Sequence, residues 1–179
     1  EKVVTLDDLG PVIELFHHLV KAGRFDDARF LFRDRINEPL YFKFADFPLF
    51  VDLLKGLFPD GMEKAPRLKD EEDQGWTYSD LANSYSLSGR PAEAVPYFLN
   101  YSQVFERNGI KKYLAVGLAN VAHMAQLSMG QLFAAVLHLK KSISLCHEVE
   151  EPRKEAISHM ELGRILAYRG ITAADEAAG

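Results

Sequence analysis

Apolar residues recur at spacings of three and four along most of this chain, and glycine interrupts the runs. Gly23, Gly89, Gly130 and Gly170 each close a long periodic stretch. Eight residues before them stand Leu15, Leu81, Ala122 and Leu162, and four before stand Leu19, Tyr85, Gln126 and Leu166. Five residues after the first three glycines comes alanine, at 28, 94 and 135, and nine after comes Phe32, Phe98 or Leu139. A period near 3.6 predicts amphipathic helices. The glycine accepts the left-handed backbone that ends the first helix of a pair. The alanine faces that helix, where a small side chain lets two backbones approach. Each hairpin built this way leaves an apolar face uncovered, so hairpins must stack.

The intervals fix the size of the unit. Gly89 to Gly130 is 41 residues, Gly130 to Gly170 is 40, and Gly23 to Gly89 is 66. The first two predict long antiparallel pairs, 76–88 with 91–107 and 112–128 with 131–148. The third leaves room for a degenerate pair, with helices over 38–45 and 48–57 and a turn at Pro59-Asp60-Gly61. Residues 63–73, polar and containing Pro66, are expected to be a loop. Pro91 and Pro152 suit first-turn positions, where a missing N–H costs nothing. Asn108-Gly109 reads as a helix stop. In the third hairpin, Val121-Ala122 lies one residue too far from Gly130, which predicts a longer helix or loop. The last hairpin also departs, because five residues past Gly170 stands Asp175 and the alanine is Ala174. The expected layout is a single solenoid over 1–179. It divides into a first hairpin over 1–36, an aromatic-rich degenerate pair and polar loop over 37–75, and repeats over 76–109 and 110–150. A partial fourth repeat covers 151–179.

Leu81-Ala82, Tyr85, Gly89, Ala94 and Phe98 resemble the tetratricopeptide repeat (TPR). So do Leu162-Gly163 with Gly170, and Gly23, Phe25, Ala28 and Phe32. That resemblance implies an all-α fold, a right-handed α-α superhelix of stacked antiparallel hairpins. The usual period of that repeat is about 34 residues, so the helices here are longer by a turn or two. The long form, the phrase from Trp76 to Ala94 and the aromatic-rich segment 42–61 are similar to the C-terminal sensor repeats of bacterial STAND signal-transduction NTPases, over most of residues 11–170. The chain begins at Glu1 and stops at Gly179 soon after a further helical pattern opens, so it reads as part of a longer protein. Residues 171–179 are expected to fray or to pack on a neighbouring copy.

Composition narrows the function. The chain has 179 residues, 47% hydrophobic and 26% charged, with a formal net charge of -5. Residues 1–75 carry 11 Lys/Arg against 16 Asp/Glu, and 76–179 carry 10 of each, so neither half offers a basic surface for nucleic acid. Cys146 is the single cysteine. With no disulfide to form and no signal peptide, a reducing, cytoplasmic setting is expected. The most apolar stretch, 40–58, is broken by Lys43, Asp46, Pro48, Asp52 and Lys55, so it reads as buried helix and not as a membrane span.

Catalytic motifs are missing from the pattern. Gly56 and Gly61 have the glycine spacing of a phosphate-binding loop, but Met62 and Glu63 follow where lysine and a hydroxyl are needed. Glu14, His17 and His18 lack the i, i+4 histidine pair of a zinc helix, and a Glu–His pair on a wet face explains them. Cys146-His147 reads as a small core hydrophobe beside a surface imidazole. The eight phenylalanines between 25 and 58 read as core before they read as a ligand pocket. No enzyme, cofactor or metal is expected.

One polar pattern is not explained by packing. First helices of successive hairpins line the inner surface of such a stack. Nine and six residues before the turn glycines stand Glu14 and His17, Asp80 and Asn83, and Glu161 and Arg164; the third repeat, shifted by its extra residue, gives Asn120 and His123. Gln126 and Tyr168 would flank this row. An acidic or amide group followed three residues on by an imidazole, amide or guanidinium suits a peptide backbone; a solvated face with i, i+3 pairs is the plainer reading. The expected function is recognition of a protein or peptide along this groove, as the sensor part of a larger signalling protein. The alternative is a scaffold that self-associates through uncapped terminal helices.

Overall fold

The structure is a computed structural model and describes residues 3–170. It is all-α and repeat-like, with no strand among the described residues. Residues 171–179, where fraying or packing on another copy was expected, lie outside the described residues. The chain divides into two compact units, 1–77 and 78–179.

In the first unit, α1 (Gly10–Lys21) turns at Gly23 into α2 (Phe25–Leu31), which continues through a π turn over Phe32–Ile36. A second π-type segment, Pro39–Phe44, stops at Ala45 in the left-handed region (φ 51°). Asp46 then caps α3 (Phe47–Lys55) by accepting from the Leu49 N–H at 3.1 Å, with Pro48 in the first turn. The degenerate pair predicted over 38–45 and 48–57 is therefore present. Its core is aromatic. Phe32 lies between Phe16 (6.0 Å between centroids) and Phe50 (4.8 Å). Of the eight phenylalanines, Phe25, Phe32, Phe50 and Phe58 are buried, whereas Phe30 and Phe42 are exposed. The Arg67 guanidinium grips Asp60 at 2.6 and 2.7 Å and stands 5.4 Å over the Phe25 ring, which pins the loop after α3.

The loop expected to run to residue 73 is shorter. α4 begins at Glu71 and runs to Leu87. Asp70 Oδ1 accepts from the N–H groups of Glu72 (2.7 Å) and Asp73 (3.2 Å), and the first turn is acidic. An N-cap with a negative first turn starts a helix in polar sequence, and apolar periodicity does not reveal it.

The second unit continues with α5 (Pro91–Arg107), α6 (Lys111–Asn120, extended by a π turn over Val121–Gln126), α7 (Leu132–Glu148) and α8 (Pro152–Arg169). Its turns share one device. At Gly89, Gly109, Gly130 and Glu150 the backbone is left-handed, with φ of 75°, 69°, 70° and 54°. The next residue's N–H returns to the carbonyl five residues earlier, at 2.8 to 2.9 Å. These are Schellman turns, which satisfy the last carbonyls of each helix. Gly89, Gly109, Gly130 and Glu150 stand 20, 21 and 20 residues apart. One helix plus one turn is thus the unit of about 20 that doubles to the observed period.

The odd residue sits in α6. Leu127 N–H bonds to the Ala122 carbonyl at 2.9 Å, a bond across five residues in place of four. The π turn absorbs the insertion inferred from Val121-Ala122, so both ends of α6 keep the register of the other repeats.

Helices pack as antiparallel neighbours. Lys111 at the start of α6 meets Glu148 at the end of α7, and Lys141 of α7 meets Glu106 at the end of α5 at 3.1 Å. These ions are half-exposed, so they mark geometry more than stability. The energy lies in the apolar layer of Ala122, Ala135, Val136, Leu139, Ile165 and Leu166, all buried. Ala94 and Ala135 are fully buried, as the spacing from the turn glycines predicts.

Candidate functional site

α6 and α8 stand on either side of α7, and a cleft of ≈ 210 Å³ opens between them. α6 contributes Val116, Ala119, Asn120 and His123; α8 contributes Lys154 and Ile157; Ser142, Cys146 and Ser158 are buried at its floor. No carboxylate lines it.

The hydrogen bonds fix which atoms are free. Ser142 Oγ donates to the Ala115 carbonyl at 2.8 Å, because a carbonyl can only accept. Its single proton is then used, so Ser158 is the donor in the 3.1 Å contact with Ser142. His123 Nδ1 lies 2.8 Å from the Ala119 carbonyl and by the same logic carries a hydrogen. In that tautomer Nε2 carries no hydrogen and is the ring's acceptor. Burial pushes the Cys146 thiol up. A buried thiol of raised pKa is a poor nucleophile. The cleft has an apolar wall, an amide, an imidazole acceptor and one ammonium, which is a binding chemistry.

The residues predicted from sequence are distributed unevenly. Asn120 and His123 line the cleft. Glu161 and Arg164 do not: they form an ion pair with each other at 2.5 Å. Their register on α8 equals that of Asn120 and His123 on α6. Glu161 is buried on the same stripe of α8 as Ser158 and Ile165, and it and Arg164 stand one heptad after Lys154 and Ile157, beyond the cleft. Asp80 and Asn83 are half-buried on α4; Asn83 Nδ2 donates to Ser79 Oγ at 3.4 Å. Tyr168 is 69% exposed.

Gln126 is not a flanking groove residue. It is 5% exposed, and its Oε1 accepts from His138 Nδ1 of α7 at 2.9 Å. It stands four before its turn glycine, the register of buried Tyr85 and Leu166, so it belongs to the interior. In the first unit Glu14 pairs with His18 at 3.8 Å, and the His17 ring packs edge-on against Phe16 at 5.9 Å. Among the described residues no group of three or more His, Cys, Asp or Glu could hold a metal. Among them, too, no helix is long and apolar enough to cross a membrane.

Sequence reasoning missed Lys154 and Ile157. They lie seven residues before Glu161 and Arg164, on the same side of α8 and two turns nearer its start. The equal-position row therefore found the side of α8 but not the turns that line the cleft. The complementary signal was 13 and 16 residues before Gly170.

No family model matches the sequence, and no curated protein matches it. Among solved structures, the chain is similar to the crystal structure of BtubC (BKLC) from P. vanneervenii. The identity is 17% and the TM-score 0.66, over 96% of this chain and 68% of that one. At that identity the likeness is one of all-helical fold.

Proposed function

We propose that the second unit is a protein- or peptide-binding module of tetratricopeptide type, and that its ligand seat is the cleft between α6 and α8. The observation that carries the reading is the pairing of an apolar pocket with polar groups in its lining: Asn120, His123, whose Nδ1 is held by the Ala119 carbonyl, and Lys154. An extended peptide would place a small aliphatic side chain against Val116, Ala119 and Ile157. Its backbone N–H would donate to His123, and Asn120 would meet the next peptide group. Specificity in such sites rests on a few polar groups set in an apolar cavity.

The resemblance of the long repeats extends the proposal. The module would be the ligand-sensing part of a bacterial STAND-type signalling NTPase, working in the cytoplasm. Ligand binding there would bias an inhibited parent toward its active state through differential affinity.

The test is a displayed random-peptide library panned on this chain. Selected peptides should bind the Asn120→Ala, His123→Ala double variant at least about tenfold more weakly, a loss of about 1.4 kcal/mol. They should bind the outer-face variant Glu93→Ala, Lys140→Ala as tightly as the parent. Failure to select any peptide, or equal binding to the cleft variant, refutes the reading. Self-association without a separate ligand is the rival, favoured by Phe133 at 75% and Leu137 at 68% exposure. Light scattering across a concentration series separates it.

A further inference from the structure

Among the described residues, Lys154 is the only Lys, Arg, Asp or Glu that lines the α6–α8 cleft. Other cations of the second unit are taken. Lys111 meets Glu148, Lys112 meets Glu151, Lys141 meets Glu106 and Arg164 meets Glu161. Lys140, Arg153 and Lys154 have no such partner among the described residues. Lys140 and Arg153 are exposed to water, whereas Lys154 is half-buried. The carboxylates beside it in sequence are engaged or turned out: Glu151 is held by Lys112, Glu155 lies 3.4 Å from His147, and Glu150 is exposed on its turn. The charge of Lys154 is still felt at the cleft floor. Burial raises the Cys146 thiol, and the Lys154 ammonium works against that rise. A half-buried ammonium along an apolar wall gives up part of its hydration, and here no carboxylate of the lining replaces it.

We infer that the cleft selects a peptide with an acidic residue, whose side-chain carboxylate pairs with Lys154. This rests on the cleft being the ligand seat. Lys154 and Ile157 stand three residues apart on α8, a rise of about 4.5 Å. An extended peptide advances about 3.3 Å per residue, so the acid belongs within about two residues of the small aliphatic side chain. With Asn120 meeting the next peptide group the chain runs on, and the carboxylate is a side chain's rather than the terminus. A ligand with Lys or Arg at that place would set two cations together in a lining without a carboxylate. Lys154 therefore selects by repulsion as well as by attraction.

The experiment pans one random-peptide library, displayed with free C-termini, on the full chain and on Lys154→Glu in parallel. The parent should enrich Asp or Glu beside a small aliphatic residue, and Lys154→Glu should enrich Lys or Arg at the same place. Peptides synthesised from the parent pool should bind equally well as free acids and as C-terminal amides. They should bind Lys154→Glu at least about tenfold more weakly, and replacing their acid by its amide should weaken binding to the parent as much. Added salt should weaken them on the parent and have little effect on Lys154→Gln. That variant should keep the parent's circular dichroism spectrum and melting temperature, because it loses no ion pair within the chain. Selected peptides that depend on Asn120 and His123, lack an acidic residue and bind Lys154→Glu as tightly as the parent overturn the inference and leave the cleft as the ligand seat. Peptides that bind as free acids and fail as amides overturn it too, since the carboxylate on Lys154 is then the chain terminus. A library that yields no peptide brings down the inference and the cleft together.

Discussion

Gly117 in α6 is where the two helices α5 and α6 come closest to sharing space. A Cβ added there would lie 2.5 Å from Tyr101 Cδ1, 2.6 Å from Ser102 Oγ and 2.8 Å from Tyr101 Cε1. Ordinary carbon contacts begin near 3.5 Å, so α6 or the ring must give by about 1 Å. Tyr101 cannot swing aside easily, because it is 1% exposed and tilted against Phe105 at 4.6 Å. Ser102 is tied as well, donating to the Phe98 carbonyl at 3.0 Å. Overpacking a filled core costs about 1–3 kcal/mol. Alanine in place of glycine within a helix returns about 0.5–1 kcal/mol. Gly117→Ala should therefore destabilise by about 1–2 kcal/mol. For a unit of this size that lowers the melting temperature by about 4–8 °C per kcal/mol. Gly163→Ala is the matched comparison: its Cβ meets nothing within 4 Å, so the propensity gain stands alone and the variant should be more stable than the parent. Thermal melts followed by helical circular dichroism decide the matter. If both alanines stabilise, the close approach of α5 and α6 is not as described.

The turn after α7 makes a test in the opposite direction, for Glu150 holds the left-handed conformation (φ 54°) that glycine holds at the three turns before it. Glu150→Gly should stabilise by up to about 1 kcal/mol and Gly89→Ala should destabilise by about as much, both measured by chemical denaturation. His138 predicts a pH dependence. Burial, and then Lys141, hold its pKa below the ordinary value of 6.5, so the folded chain binds this proton less readily than the unfolded one. The unfolded state gains protons as pH falls through about 6.5, and stability should fall with it. His138→Gln should flatten that slope in denaturation midpoints between about pH 7.5 and 5.5; an unchanged slope would remove His138 as the cause.

Much of the helical order was legible because it rests on local rules. Gly89 and Gly130 sit where an αL residue must end a helix, and the alanine five residues on, at 94 and 135, is fully buried. One boundary escaped for a physical reason. The start of α4 depends on the Asp70 cap and its acidic first turn, features of polar residues that carry no period. The end of a helix at 148 and the first-turn place of Pro152 were legible, but not the αL residue between them: Glu150 holds that conformation, which the pattern of glycines cannot announce.

The candidate site shows where one-dimensional register stops being informative. Position relative to the turn glycine fixes which face of a helix a residue is on, and it did so for Asn120 and His123. It does not say which turns of that face meet a neighbour. Glu161 and Arg164 hold the same register on α8, yet they pair with one another at 2.5 Å and do not line the cleft. The wall that does oppose Asn120 and His123 is Lys154 and Ile157, two turns earlier on the same side of α8. Gln126 fails for a related reason. The π turn runs over Val121–Gln126, and by its end the extra residue has been absorbed, so the one-residue correction that applies to Asn120 and His123 no longer applies to Gln126. Uncorrected, it shares the register of Tyr85 and Leu166, both buried, and its amide survives there only because His138 donates to it. A single inserted residue thus separates the part of α6 that can meet a ligand from the part that must pack. The inserted π turn begins at Val121, directly after Asn120, at the cleft wall itself.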